Sequence, residues 1–233
     1  MAEAPQAADA PVCVVVGVGP GMGEALARAF AGARWRVALM SRSEDKLRPL
    51  AQELGGVAIS CDATREDNIR QAMDRVRAEL GPVHTLIWNV GNATWGDLDK
   101  LDMGGMNLAW QTNASGLFVG AQAVVADMRA AESGNILVTG ATASRRGKPF
   151  TTAFAAGKAA QRSLCQSLAR QLWPEGIHVA LVILDGMVNI PDREVPEPRL
   201  EPADAAVTYL HLAQQPRSAW TFELEVRPSA ESW

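Results

Sequence analysis

The sequence predicts a doubly wound α/β sheet, with parallel strands covered by helices on both faces. Three observations carry this expectation. Strand-like and helix-like segments alternate from Val12 to Val226. Most strand segments are apolar at every position, the pattern of parallel strands buried on both sides rather than on one. No linker divides the 233 residues, a length that suits one such domain. Residues 11–230 are therefore read as one domain, preceded by a flexible N-terminus over 1–10.

The elements follow in order. Val12 to Val16 is a β-branched run that ends at Gly17, a buried strand. Met22 to Ala33 carries apolar residues at helical spacing. Trp35 to Met40 is the second strand, Glu44 to Leu54 a helix and Val57 to Cys61 a short strand. Arg65 to Leu80 is amphipathic, with Ile69, Met73, Val76 and Leu80 on one side, and Gly81-Pro82 stops it. Val83 to Trp88 is the fourth strand. Residues 89–106 have no clear pattern. Leu108 to Ala130 is a helix, Gly134 to Thr139 a strand and Thr151 to Trp173 a helix halted at Pro174. Ile177 to Leu184 is wholly apolar apart from His178. Residues 185–200 hold three prolines and read as a loop, with 191–202 a candidate lid or partner contact. Ala203 to Gln214 is a helix and Trp220 to Val226 the last strand.

Charge and composition narrow the function classes. The formal net charge is −4, from 22 Lys and Arg against 26 Asp and Glu, and no basic block stands out. That argues against a nucleic-acid or anionic-membrane partner and for a small-molecule ligand. The first ten residues have no apolar core, so they do not read as a signal peptide. No run of 18 apolar residues suggests a span. Cys13, Cys61 and Cys165 are far apart and odd in number, which fits reduced thiols in a cytoplasmic protein. A core of this size needs neither disulfide nor metal.

The chemistry-bearing motif comes first in the chain. Gly17, Gly19, Gly21 and Gly23 lie between the first strand and the first helix, with Met22 opening that helix. Such glycines permit a tight turn and let the backbone approach a pyrophosphate at the helix N-terminus. A strand, turn and helix in this order point to a dinucleotide. The second strand ends in Ser41-Arg42-Ser43, where an acidic residue would favour a free ribose 2′-hydroxyl. A cation with two hydroxyls suits a 2′-phosphate instead, so NADP(H) is favoured over NAD(H). Asp62 and Ala63 follow the third strand; Asp62 is placed to accept from an adenine amino group or to cap the next helix. Asn89 and Gly91 bring small groups to the C-terminal sheet edge, where ligands of such sheets bind.

With these residues in place, the chain resembles the short-chain dehydrogenase/reductase family from Val12 to about Val226. Gly17, Gly21 and Gly23 match its three glycines, Asp62 its adenine-contact aspartate and Asn89-Val90-Gly91 the tail of its Asn-Asn-Ala-Gly motif, with Trp88 in place of the first asparagine. The resemblance implies a Rossmann-like seven-stranded parallel sheet of order 3-2-1-4-5-6-7 in a three-layer αβα sandwich. It also implies oxidoreductase activity, with Gly186 and Val188 after strand six adding to the cofactor site. Lys158 matches the lysine that contacts the nicotinamide ribose, and Asn113 the asparagine that holds a proton-relay water. The position of the family's tyrosine, four residues before Lys158, is Phe154, and that of its serine is Ala141. The only tyrosine, Tyr209, is out of register. The family forms dimers and tetramers through helices that correspond here to 108–130 and 151–173. The GATAS run at 140–144, Asp185-Gly186 and the Arg217 to Trp220 tail resemble a bacterial subgroup of the family.

Phe154 has no exchangeable proton and Ala141 no hydrogen-bond donor. General acid catalysis contributes on the order of 10²–10⁴-fold in rate, so ordinary ketone reduction needs another donor. Asp185, at the end of the sixth strand, is the candidate for polarity near the nicotinamide. Trp95, Thr142, Phe150, Phe154 and Met187 are candidates for an apolar substrate pocket, with Trp88, Met103, Met106 and Trp110 nearby. Three readings stay open: an NADP(H)-dependent oxidoreductase on an apolar carbonyl, imine or enone compound; a catalytically silent NADP(H)-binding sensor or partner protein; and a non-redox lyase or isomerase.

Overall fold

The computed structural model describes residues 9–91 and 94–231. Seven parallel strands form the main sheet: β1 Val12–Val16, β2 Arg36–Ser41, β3 Val57–Ser60, β4 Val83–Trp88, β5 Gly134–Ala141, β6 Ile177–Leu184 and β7 Glu223–Val226. Their order is β3-β2-β1-β4-β5-β6-β7, as expected from the sequence. The chain runs outward from β1 to β3 and then returns to the other side of β1 as β4. This reversal opens a crevice at the carboxyl ends of β1 and β4, the place where sheets of this class take ligands.

Among the described residues, seven α-helices cover the sheet: α1 Met22–Gly32, α2 Glu44–Leu54, α3 Glu66–Leu80, α4 Met103–Trp110, α5 Gly116–Ala130, α6 Thr152–Leu172 and α7 Pro202–Ala213. The side-chain period of two splits each strand between two cores. Val12, Val14 and Val16 pack with α3, α5 and α6, while Cys13 and Val15 pack with α1, α2 and α7. That double burial is why most strand positions are apolar. All three cysteines are buried free thiols. No described helix is long and apolar enough to cross a membrane.

Several expectations need correction. The helix placed at 108–130 begins at Met103, where Asp102 caps it by accepting from the Gly105 N–H at 2.8 Å. It is also broken by a π-turn over Gln111–Ser115. Just beyond it, Gly116 packs so tightly that a Cβ there would stand 2.2 Å from the Ala63 carbonyl oxygen and 3.0 Å from the Trp88 ring. Trp88 is fully buried in the α3/α5/α6 core and does not border a substrate pocket. The loop at 185–200 contains a small parallel pair, Met187–Val188 with Arg199–Leu200. The last strand starts at Glu223 because Trp220 instead stacks on His178, centroids 4.8 Å apart. The expected flexible N-terminus lies, for residues 1–8, outside the described residues; Ala10 is held by the Arg36 Nε–H at 3.0 Å.

Candidate functional site

The glycine turn is shaped by backbone contacts that side chains would block. Gly17 has φ +91°, and a Cβ on it would lie 2.7 Å from the Asn89 carbonyl oxygen. Asn89 Nδ2 donates back to the Gly17 carbonyl at 3.0 Å, which joins the ends of β1 and β4 across the crevice. At Gly23 a Cβ would lie 2.5 Å from the Gly17 oxygen, so α1 starts against its own turn. Gly21, at φ +92°, precedes α1, and a Cβ at Gly19 would meet nothing within 4 Å. Open space over Gly19, at the start of a helix, is where a pyrophosphate fits.

This turn borders a groove of about 510 Å³ that runs over the sheet edge past Ser41, Arg42, Asp62, Ala63, Asn89 and Gly91. Ser41 closes β2, its hydroxyl donating to the Ser43 carbonyl at 3.3 Å. Arg42 is exposed and lines both the groove and an adjoining hollow of about 380 Å³ shared with Ser43 and Lys46. Asp62 accepts from the Thr64 N–H at 3.0 Å and hydroxyl at 2.7 Å. These two bonds, with a smaller attraction from Arg42, hold its carboxyl below the ordinary carboxylate range. Asp62 thus remains an acceptor in the groove.

At the other end of the groove a Cβ on Gly91 would lie 3.8 Å from Lys158 Nζ. The ammonium is buried and donates to the Thr139 carbonyl at 2.9 Å and Gln161 Oε1 at 3.1 Å. Burial lowers its pKa from 10.5 to about 8. Asn113 sits within the π-turn, fully buried; Nδ2 donates to the Ala109 carbonyl at 2.9 Å, and Oδ1 has no partner among the described residues. Tyr209 is a core residue: its hydroxyl meets Thr139 Oγ1 at 2.8 Å, and Thr139 Oγ1 donates to Asn89 Oδ1 at 2.9 Å.

A second cavity of about 290 Å³ is lined by Ala141, Thr142, Phe154, Asp185, Gly186 and Met187, with Trp95, Phe150, Arg146 and Lys148 completing its outer part. Trp95 packs on Phe154 and Phe150 with ring centroids 5.2 and 5.7 Å apart. Thr142 donates its hydroxyl to Asp185 Oδ1. The Asp185 carboxylate is also paired with Arg227 at 3.3 Å and Arg146 at 3.6 Å.

Residues 11–193 match the family model described as short chain dehydrogenase. The chain belongs to the short-chain dehydrogenase family. Among solved structures it is similar to a short-chain dehydrogenase from Rhodopseudomonas palustris, at 36% identity and TM-score 0.82 over 94% of this chain and 98% of that one. It is also similar to a metagenomic short-chain oxidoreductase in complex with NADP, at 27% identity and TM-score 0.82 over 96% of this chain and 100% of that one. An uncharacterized oxidoreductase of Staphylococcus aureus (strain MRSA252) is 23% identical over 93% of this chain and 96% of its own. Members of this family bind a nicotinamide cofactor, and the glycine turn, open over Gly19 and closed to side chains at Gly17 and Gly23, fits its diphosphate.

In this short-chain dehydrogenase the structure gathers Trp95, Ala141, Thr142, Phe150, Phe154, Asp185, Gly186 and Met187 around one cavity. Gly17, Gly19, Ser41, Arg42, Asp62, Ala63, Asn89 and Gly91 border the other. Gly21, Met22, Gly23, Asn113, Lys158 and Val188 lie outside both linings, Lys158 directly behind Gly91. Met103, Met106 and Trp110 do not line the second cavity, contrary to expectation; Met103 and Trp110 face outward on α4. Sequence reasoning missed Leu108 and Thr112 as groove residues and Arg227 as a partner of Asp185. The first two carry helical spacing that only shows which side they take once the π-turn is known. Arg227 had no local signal, since its role depends on β7 pairing with β6.

Proposed function

We propose that the chain is an NADP(H)-dependent oxidoreductase acting on a small apolar carbonyl, imine or enone compound without a Ser/Tyr pair. The observation that carries this reading is the alignment of three parts along one sheet edge. A glycine turn open to a diphosphate leads past Arg42 at one end and Gly91, backed by Lys158, at the other, and an aromatic-walled cavity lies beyond Phe154. When bound, the cofactor supplies or accepts a hydride. The chain's own groups do the rest. Lys158 holds the ribose next to the nicotinamide, Arg42 with Ser41 and Ser43 receives the 2′-phosphate, and Asp62 accepts from the adenine. Gly186 and Val188 flank the nicotinamide, and Asn113 orients a buried water through its unpartnered Oδ1. Asp185 supplies polarity nearby, and its pairs with Arg146 and Arg227 favour bracing over proton delivery. If D185N altered the pH profile of turnover, proton delivery would regain the lead.

The test is NADPH consumption, followed by its near-ultraviolet absorbance, with a panel of ketones, imines and enones. We expect turnover of at least one class, and a gain of on the order of 10²-fold in ketone reduction in an A141S/F154Y variant. A second reading, a silent NADP(H) sensor or partner protein, is favoured by Phe154 and Ala141 standing where an acid and a donor are expected. A silent panel with tight cofactor binding would select it. We further propose a cytoplasmic homodimer or homotetramer through 108–130 and 151–173. The exposed Leu108, Trp110 and Phe118 and an apolar hollow beside Ala169, Trp173 and Phe222 support the assembly. Light scattering showing a monomer would refute it.

A further inference from the structure

The second cavity has a half-buried inner wall with no free proton donor. Ala141, Phe154 and Leu184 are apolar, and the Thr142 hydroxyl is committed to Asp185. The Asp185 carboxylate is held by two guanidinium groups as well. A ketone that receives hydride there becomes an alkoxide, and an enone becomes an enolate. Each needs a donor at the oxygen; this inner wall offers none, and the cations of the lining, Arg146 and Lys148, belong to exposed residues of its outer part.

An acceptor that loses charge on reduction avoids this requirement. We infer that the cavity takes a planar, cationic iminium compound as its hydride acceptor, held against the rings of Trp95, Phe150 and Phe154. The inference rests on the oxidoreductase reading above and narrows its substrate class. The reaction balances without the protein's protons. The hydride and its electron pair form a new C–H bond at the iminium carbon, the C=N π pair becomes the nitrogen lone pair, and a neutral amine leaves. The reduced nicotinamide dinucleotide is the two-electron reductant and ends oxidised.

The outer wall suits that cation. Three aromatic rings meet at one corner, Trp95 tilted 40° to Phe150 and 47° to Phe154. Aromatic faces carry negative potential and attract cations within about 6 Å. The charged side chains of the lining do not oppose this. The lining carries two cations, Arg146 and Lys148, and two carboxylates, Asp185 and Glu231, and Arg146 is turned to Asp185, which Arg227 also pairs. The rings of Trp95 and Phe150 are half-exposed, so the attraction per ring is modest, about 0.5–1 kcal/mol.

The test compares N-methylisoquinolinium, a planar cation with no acidic proton, with neutral isoquinoline. Calorimetric titrations are run on the cofactor-free protein and on protein saturated with NADP⁺, and NADPH is titrated separately. We expect the cation to bind at least about fivefold tighter than the neutral ring. W95L and F150L, both at half-exposed positions, should each reduce that preference by about two- to fivefold and leave NADPH affinity unchanged. In turnover, NADPH should be consumed with 2-methyl-3,4-dihydroisoquinolinium at a rate independent of pH across the neutral range, with acetophenone silent. Equal or tighter binding of the neutral ring, or reduction of acetophenone but not the iminium, overturns the inference. Absence of NADPH binding with the cation preference intact supports the cavity assignment and removes the redox reading alone.

Discussion

Replacing Lys158 by methionine removes a buried ammonium whose titration the fold moves into an accessible pH range. Its pKa is 10.5 when solvated and about 8 in the folded chain, because burial disfavours the charged form. The sign follows from linkage. Below about pH 8 both folded and unfolded chains hold the proton, and the full burial penalty is present. Between about 8 and 10.5 the unfolded chain still holds it while the folded chain has released it, so stability rises with pH. The rise corresponds to about 3 kcal/mol, or about 6–12 °C in Tm for a chain of this size. Denaturant or thermal unfolding of the cofactor-free protein and of K158M across that window is the assay. The difference between the two proteins isolates this group from every other titration. Parallel profiles for wild type and K158M would refute the argument. Methionine also forfeits the bonds to Thr139 and Gln161, so the offset between the curves carries no information and only their divergence with pH does.

Other predictions follow from named contacts. R42A should weaken NADPH binding by about tenfold or more, the worth of a charge-assisted bond, while NADH affinity stays level; titration with both dinucleotides decides, and an equal loss for both would remove Arg42 from the 2′-phosphate. G17A should lower Tm and abolish measurable cofactor binding, since a Cβ would press on Asn89 in a left-handed backbone region that costs on the order of 1–3 kcal/mol for non-glycine residues. Unchanged melting would contradict that packing. Y209F should cost about 1 kcal/mol, read as a Tm drop of about 2–4 °C, with KM unaltered, because the hydroxyl bonds Thr139 inside the core. A loss of kcat with no change in stability would instead place Tyr209 in the chemistry.

Much of the sheet was legible because its strands are short continuous apolar runs, and parallel strands under two helical layers leave that mark directly. The glycine turn was legible for a related reason: Gly17 and Gly23 stand where the backbone leaves no room for any other residue. The α4 region was not. Met103-Gly104-Gly105 has poor intrinsic helix propensity, and the helix exists there because Asp102 caps it and α6 packs on it. The π-turn was invisible because Gln111–Ser115 continues the helical spacing of its neighbours, while the close approach of Gly116 to Ala63 and Trp88 beside it joins three distant segments. The pair Met187–Val188 and Arg199–Leu200 is too short to show any period. Within the candidate site, residue types at Lys158, Phe154 and Ala141 were readable by register, whereas the ion pairs around Asp185 required the third dimension.

The thread from Tyr209 through Thr139 and Asn89 to the Gly17 carbonyl has a consequence for assembly in time. The nucleotide turn is made early in translation, yet its last tether is delivered by a helix near the opposite terminus. A ribosome-bound product ending before Pro202 would present the glycines and the Asn89 contact without the Tyr209 hydroxyl that meets Thr139 behind them.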